Sequence, residues 1–343
     1  MDILKTLSDD ANYSSSALQL ILGSWVVGNL FERRNKIETL DGHVLEEDYD
    51  KRSIYALFYS LYRSMGVVRS DAGVAYELTF NTWGYTWPEG WGEPSASADD
   101  PQRFGRNAYA GLFAFDAVKQ RVRELDGRVH VVEMGCGTGA GAHHVCSNVL
   151  PRCTYEAVDM QRAAIDTCRR RFVPELDGRL VATHANCTRL PVPDGVADIV
   201  AVCETHVTDQ AGRVTSEDEA FFRTAHRVLK PGGFLVWGNA IPKSTWEPCF
   251  AFLDKIGMEL VEVRDVTANA IQARDEDAGR VDAYVEQCLD AFVGFKIPVL
   301  GARRRKEARA AMTNFYRQPG TRLYENMKDG TDTYNVVLLR KRA

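Results

Sequence analysis

Glycines alternate with other residues directly after an apolar run near the middle of the chain. Residues 131–141 read VVEMGCGTGAG, which puts Gly135, Gly137 and Gly139 at every second position. Glycine lets a backbone turn tightly and approach a ligand without a Cβ in the way. Dinucleotide-binding proteins use similar spacing and place a pyrophosphate at the N-terminus of the helix that follows. The loop therefore predicts binding of a nucleotide-like ligand, and its spacing leaves the kind of ligand open.

Polar residues at the ends of the neighbouring strands indicate which kind of ligand the loop binds. Asp159 ends the second candidate strand, where a carboxylate can accept both hydroxyls of a ribose. Asn186 and Cys187 end the third, followed by TRLP, and residues 227–234 (RVLKPGGF) lead into the fifth. These features speak against a nicotinamide or flavin oxidoreductase.

Candidates for proton transfer follow the fourth strand, in residues 203–209 (CETHVTD). His206 has a side chain that titrates near neutral pH, which suits proton abstraction, and Glu204 could orient it. An alternative is that His206 only hydrogen-bonds the loop and Glu204 only binds an amino group of the ligand. Both interpretations stay open.

An aromatic segment precedes the glycine loop, in residues 81–94 (NTWGYTWPEGWGEP). Aromatic faces stabilise cations by ~0.5–2 kcal/mol each. For Tyr85 we expect contact with a cofactor or substrate. Trp87 and Trp91 could serve a reacting cation or could equally pack the N-terminal helices onto a sheet.

Short apolar runs alternate with helical stretches from residue 105 onward, which predicts a doubly wound α/β sheet. The expected strands are Arg128–Met134, Cys153–Asp159, Arg179–Ala185, Val196–Cys203, Phe234–Asn239, Leu260–Val266 and Thr333–Arg340. The expected helices are Ala17–Phe31, Ser53–Gly66, Asn107–Leu125, Gln161–Phe172, Glu217–Leu229, Val281–Phe295 and Ala302–Met312. The last strand returns after a long insertion, so we expect it antiparallel at the end of the sheet with the insertion over one edge.

The domain organisation follows from these elements. Residues 1–104 hold N-terminal helices and the aromatic loop, which would cover the cofactor and substrate. Residues 105–266 and 331–343 form the core, and residues 267–330 form a helical lid.

Composition excludes several classes of protein. The 343 residues are 45% hydrophobic and 26% charged, typical of a globular chain. Forty-two basic against 47 acidic residues give a net charge of −5, without the basic excess of a nucleic-acid-binding protein. The most apolar stretch, Ala17–Phe31, is too interrupted to span a membrane. Eight cysteines and seven histidines show no metal-binding spacing. We therefore expect a soluble, cytoplasmic protein without a metal, membrane or nucleic-acid partner.

The motifs from about Phe80 to the C-terminus resemble class I S-adenosylmethionine-dependent methyltransferases. Within that class the chain is similar to the small-molecule branch of sterol C-methyltransferases and phthiotriol-type methyltransferases. The resemblance implies a Rossmann-like seven-stranded sheet with its last strand antiparallel, and S-adenosyl-L-methionine as the cofactor.

The same resemblance implies a set of cofactor contacts. The Gly135–Gly139 loop would lie under the methionine part, and Glu133 would fix the loop or meet the amino group. Asp159 would hold the ribose, and Met160 would pack on the adenine. The remaining expected contacts come from Cys136, Gly137, Asn186 (where relatives have Asp), Cys187 and Glu204.

The resulting hypothesis is an enzyme that methylates a small apolar or aromatic metabolite in secondary metabolism. Aromatic density favours an electron-rich carbon, such as an alkene or an indole, with His206 as base and with Glu204 and Tyr85 in the site. Methylation of oxygen or nitrogen is the alternative, and an oxidoreductase or a non-catalytic binding protein is a weaker one. The N-terminal helices could form a homodimer.

Overall fold

The computed structural model describes residues 67–205, 214–291 and 300–342. Outside the main sheet, β1 (Val67–Arg69) and β2 (Ala75–Glu77) form a short antiparallel ribbon. The strands of the main sheet are β3 (His130–Met134), β4 (Thr154–Asp159), β5 (Leu180–His184), β6 (Ala197–Cys203), β7 (Leu229–Pro242), β8 (Met258–Asp265) and β9 (Asp332–Lys341). Their order is β5-β4-β3-β6-β7-β9-β8. This arrangement confirms the predicted α/β fold with a seven-stranded sheet.

The centre of the sheet is parallel and covered on both faces. All seven residues of β6 are buried, and β3 and β7 pair with it in parallel. A strand that is buried on both faces needs a continuous apolar run, which is how ADIVAVC reads. The carboxyl ends of β3, β4 and β6 therefore meet at one edge of the sheet, where the glycine loop begins.

The last strand is antiparallel, as predicted, but it does not lie at the end of the sheet. β9 lies between β7 and β8 and pairs antiparallel with both. Residues 336–339 (VVLL) are fully buried, so β9 needs neighbours on both sides. By contrast, β8 leaves most of its side chains partly or fully exposed, which suits an edge strand. The predicted position at the end was wrong because burial of β9 favours an inner place.

Nine helices of the described residues cover the sheet and its carboxyl edge. They are α1 (Arg103–Leu112), α2 (Asp116–Glu124), α3 (Ala140–His144), α4 (Arg162–Arg171), α5 (Ser216–Val228), α6 (Lys243–Lys255), α7 (Thr267–Ala291), α8 (Leu300–Phe315) and α9 (Arg322–Lys328). Short helical turns follow α3, α4 and β5. The predicted helices Ala17–Phe31 and Ser53–Gly66, and with them the dimer hypothesis, lie outside the described residues.

Two sequence predictions need correction here. The single helix expected over Asn107–Leu125 is two helices, because Phe115 adopts an extended conformation (φ −66°, ψ 138°) and is fully buried. The KPGG turn belongs to β7, which pairs with Ala197 at Leu229 and resumes at Phe234 after a shift in register. Helix α6 was not predicted.

Helices α7–α9 lie at the carboxyl edge of the sheet. Helix α7 begins just after β8 ends, and α9 ends just before β9 begins. Buried residues of α7 and α8 pack with the β1–β2 ribbon and with Ala164, near the start of α4. This region therefore extends from β9 toward the strand end that carries Asp159.

Candidate active site

The glycine loop is constrained by its own packing. Gly135, Gly137 and Gly139 have φ values of 92°, 54° and 83°, which L side chains rarely adopt. A Cβ on Gly135 would lie 2.1 Å from Cγ2 of Thr205, and one on Gly139 would lie 2.2 Å from Sγ of Cys168. The loop therefore requires glycine at both positions before any ligand is considered.

Asp159 joins this loop to the start of α4. Its Oδ2 accepts from the Gly137 N–H at 2.9 Å, and its Oδ1 accepts from the Gln161 N–H at 2.7 Å. Burial raises the pKa of Asp159 to about 6. A carboxylate oxygen can accept more than one hydrogen bond, so both oxygens retain capacity for a ligand hydroxyl.

Glu133 is fully buried beneath the loop. Its Oε2 accepts from the Tyr155 hydroxyl at 3.1 Å, and the Tyr109 hydroxyl also lies near the carboxyl, whereas Oε1 makes no hydrogen bond of ordinary geometry within the described residues. Burial raises the pKa of Glu133 to about 7. A buried carboxylate oxygen without a donor is costly, and a cationic ligand group would relieve that cost.

The residues expected around the adenine have other local contacts. The Asn186 Oδ1 accepts from both the N–H and the Oγ1 of Thr188, each at 2.9 Å, and so caps the turn that follows β5. Met160 is partly exposed, and its carbonyl oxygen lies 3.0 Å from Nε2 of His184. Burial raises the pKa of both Cys136 and Cys187, so neither is a reactive thiolate. The oxygen of Asn186 is thus already engaged within the protein.

Glu204 fastens the aromatic segment to the end of the sheet. Its Oε2 accepts from the Trp83 N–H at 2.7 Å. Its Oε1 accepts from the Gly84 N–H at 2.9 Å and from the Tyr334 hydroxyl at 2.8 Å. The backbone of Glu204 is left-handed, with φ 48°, and burial raises the pKa of its carboxyl. His206 lies outside the described residues, so its pairing with Glu204 stays a prediction.

The aromatic segment itself packs into the core. Tyr85 is fully buried, and its ring meets those of Tyr334 and Trp91 edge to face at 5.3 and 6.2 Å. The guanidinium of Arg264 lies 4.8 Å from the Trp91 ring centre, and Trp87 meets Trp91 edge to face at 5.7 Å. One face of Trp91 is therefore already occupied by a cation of the protein.

The sequence did not predict a narrow crevice beside Glu204, which joins Trp83 and Gly84 of the aromatic segment to residues outside that segment. The crevice is lined by Trp83, Gly84, Ala240, Ala270, Arg274, Arg317, Met327 and Tyr334. Two of them are arginines of the helical insertion, a region whose sequence carries no motif. Their burial becomes visible only once α7, α8 and β9 are brought together.

Two absences concern only the part of the chain that the structure describes. No helix there combines the length and apolar character needed to cross a bilayer. No cluster of three or more His, Cys, Asp or Glu side chains there has a metal-binding arrangement.

The strand order, the glycine loop after β3 and the carboxylate at the end of β4 define a class I methyltransferase fold. Residues 131–233 match the family model described as "Methyltransferase domain". The chain is an S-adenosylmethionine-dependent methyltransferase.

Individual relatives agree with this assignment. The chain is 23% identical over 270 residues to a fatty-acid O-methyltransferase of Mycolicibacterium smegmatis, covering 78% of this chain and 85% of the relative. It is 26% identical over 220 residues to a probable phthiotriol/phenolphthiotriol dimycocerosates methyltransferase 2 of Mycobacterium ulcerans, covering 64% and 78%. In fold it resembles the crystal structure of the [4+2]-cyclase SpnF, with a TM-score of 0.56, 19% identity and coverage of 85% and 94%.

Proposed function

We propose that the protein methylates a small, largely apolar metabolite enclosed between the aromatic segment, the sheet edge and helices α7–α9. The observation that carries this proposal is the closure of the acceptor side by Glu204, which binds two backbone N–H groups of the segment. A covered crevice suits a small molecule better than a polymer chain. Both relatives, which are named for fatty acids and for phthiotriol-type lipids, support the same class.

The cofactor would lie on the glycine loop, and the residues there fit it. S-adenosyl-L-methionine supplies the methyl group as an electrophilic sulfonium. The unpartnered Oε1 of Glu133 would accept from the amino group, and Asp159 would accept from the ribose hydroxyls. Met160 and Cys187 would line the adenine. Asn186 would have to use its amide N–H₂, because its oxygen caps the following turn.

The chain contributes chiefly by positioning the acceptor. Direct displacement needs the acceptor atom in line with the methyl group, and correct orientation is worth ~7–11 kcal/mol in the best intramolecular models. Glu204 fixes the backbone of Trp83 and Gly84 and the hydroxyl of Tyr334 at once. We assign Glu204 this positioning role in place of contact with the reacting atoms.

For the acceptor atom we now favour oxygen over carbon. The carbon hypothesis relies on free aromatic faces beside a developing substrate cation. Guanidinium groups lie 4.8 Å from the Trp91 ring centre and 4.5 Å from that of Trp83. A second cation at either ring would be repelled by the arginine. If the acceptor is a hydroxyl, His206 is the candidate base for its proton.

Calorimetry followed by product analysis tests this function. The protein should bind S-adenosyl-L-methionine and show no preference for NAD. Incubation with methyl-labelled cofactor and a panel of fatty acids, hydroxylated aromatics and lipid alcohols should then place the label on oxygen, as read by mass spectrometry and NMR. Preference for NAD would overturn the assignment of the loop, and label on carbon would restore the carbon hypothesis.

A further inference from the structure

Two buried arginines line the crevice beside Glu204. Arg274 of α7 is 2% exposed, and Arg317, just after α8, is 5% exposed. Both line the crevice, together with the apolar walls formed by Trp83, Ala270 and Met327. Charged side chains are rarely buried to this extent unless they are paired or bind a charged group.

Arg317 occupies a backbone position that favours glycine. The Arg317 N–H donates to the Asn314 carbonyl and the Gln318 N–H to the Thr313 carbonyl, each at 3.0 Å, which is the hydrogen-bond pattern of a Schellman helix end. The residue at the left-handed position of that motif is usually glycine, and Arg317 adopts it with φ 50°. A strained backbone that retains a large charged side chain indicates that the side chain is needed there.

The guanidinium of Arg317 is only partly satisfied. Its Nη1 donates to Asp332 at 3.0 Å and to the Leu323 carbonyl at 3.1 Å, and its Nη2 donates to the Ala240 carbonyl at 3.0 Å. Its buried Nε has no acceptor within the described part of the chain. The Nε–H of this crevice-lining arginine is therefore unused within the described residues.

Arg274 lacks a carboxylate of its own. Its Nη2 donates to the Trp83 carbonyl. The carboxylate of Asp277 lies 3.7 Å away, but both its oxygens accept from Arg280 at 2.6 Å. The Nε of Arg274 is also buried without an acceptor in the described residues. In both arginines of the crevice, the buried Nε–H thus has no acceptor among the described residues.

We infer that Arg274 and Arg317 bind a carboxylate group of the acceptor substrate, an inference that rests on the proposed function. A carboxylate supplies two oxygens for the two Nε–H donors, and charge-assisted hydrogen bonds are the strong ones. Its apolar remainder would pack on Trp83 and Met327. The crevice is closed in this structure, so binding of a substrate requires it to widen.

The surroundings favour a carboxylate over a phosphate. Glu204 and Asp332 already bring negative charge to the crevice through their bonds to Tyr334 and Arg317. Asp277 adds a third carboxylate near Arg274. A dianion would meet repulsion from all three, whereas a monoanion adds one charge opposite two guanidinium groups.

Calorimetry with defined probes tests this inference. Octanoate and phenylacetate are titrated into the full-length protein with S-adenosylhomocysteine present, alongside octanamide and octyl phosphate. We expect at least one carboxylate to bind. Octanamide should bind at least about tenfold more weakly, because a charge-assisted hydrogen bond contributes about 1.5–3 kcal/mol. The variants Arg274→Gln and Arg317→Gln should each bind the carboxylate about tenfold more weakly than the unmodified protein. The variant Arg317→Lys should not bind it better than Arg317→Gln does.

The control is Arg264→Gln, which removes an arginine that also covers a tryptophan but lies outside the crevice. Its carboxylate affinity should equal that of the unmodified protein. Failure of both carboxylates to bind, equal binding of octanamide, or stronger binding of octyl phosphate would each overturn the inference. Cofactor binding is measured in the same samples, so loss of the proposed function is recognised separately.

Discussion

The two halves of the proposed site, one for the cofactor and one for the acceptor, are assembled over very different sequence distances. In the cofactor half, Asp159 binds the N–H groups of Gly137 and Gln161, which are 22 and two positions away. In the acceptor half, Glu204 binds Trp83 across 121 positions, and Arg274 reaches the same residue across 191. The cofactor half is thus a local motif around one strand-helix-strand unit. The acceptor half exists only after distant segments have packed.

Backbone strain divides the halves in the same way. The cofactor half uses glycine wherever φ is positive, so no side chain is forced into the left-handed region. Among the described residues, four that are not glycine have positive φ: Asp126, Asp177, Glu204 and Arg317. Aspartate tolerates this region comparatively well. The other two, Glu204 and Arg317, contact or line the crevice that we propose for the acceptor.

The largest effect is expected from a substitution in the glycine loop of the cofactor half. Gly135→Ala places a Cβ 2.1 Å from Cγ2 of Thr205 at φ 92°, so the loop must move. We expect affinity for S-adenosyl-L-methionine to fall about 100-fold, which corresponds to ~2.7 kcal/mol. Isothermal calorimetry measures it.

Gly178→Ala is the matched control for that change. Gly178 also has positive φ, at 77°, but an added Cβ would have nothing within 4 Å. It should cost ~1–2 kcal/mol of stability and leave cofactor affinity unchanged. Equal loss of affinity in both variants would mean that backbone strain alone, and not the loop's close packing, explains the effect.

The second prediction concerns Glu204 in the acceptor half. Glu204→Gln replaces one acceptor oxygen by an amide N–H₂, which would face a backbone N–H of Trp83 or Gly84. We expect kcat/KM for the acceptor to fall at least about tenfold, because one buried donor loses its partner at ~1–3 kcal/mol. Steady-state kinetics at saturating cofactor measures it.

Tyr334→Phe tests the same set of hydrogen bonds to Glu204 with a milder change. It removes one of the three hydrogen bonds to Glu204 and leaves both bonds to the segment in place. Its effect on kcat/KM should be smaller than that of Glu204→Gln. A larger effect from Tyr334→Phe would assign the reaction to the tyrosine hydroxyl and remove the positioning role from Glu204.

The contrast between the halves explains what the sequence could predict. The seven strands, the glycine loop and the carboxylate at the end of β4 follow from local patterns of glycine, apolar runs and strand ends, whereas the inner place of β9 does not. Asn186 shows the limit of such patterns, since its type suits an adenine acceptor while its oxygen caps a turn. Arg274 and Arg317 were not found, because an arginine in a polar helical region gives no local sign that packing will bury it.

The third prediction uses pH to sharpen the role of Glu133. Its folded pKa of about 7 lies above the ordinary value of 4.5. Protonation is thus favoured by folding, so this group stabilises the free protein at low pH and loses that contribution as pH rises through about 7. Cofactor binding has the opposite sign, because a cationic amino group needs the ionised carboxylate.

Affinity for the cofactor should therefore fall by up to about tenfold per pH unit between about pH 7 and 6. Calorimetry at several pH values measures it, and thermal unfolding of the free protein should shift upward over the same range. Glu133→Gln should flatten the part of both profiles that Glu133 causes. An unchanged affinity profile in that variant would remove Glu133 from the amino-group site.

The smallest expected effect compares two tryptophans of the aromatic segment. Trp83 and Trp91 each carry a guanidinium over the ring, at 4.5 and 4.8 Å, but only Trp83 lines the crevice. Trp91→Leu should lower the stability of the protein, because it removes packing against Tyr85 and a cation–π contact worth ~0.5–2 kcal/mol. The same change should alter kcat less than about twofold. Trp83→Leu, as the matched variant, should slow turnover markedly. Thermal unfolding and kinetics at saturating cofactor separate the two effects. Slow turnover by Trp91→Leu at unchanged cofactor affinity would instead place that ring beside the reacting substrate, and would favour carbon as the acceptor after all.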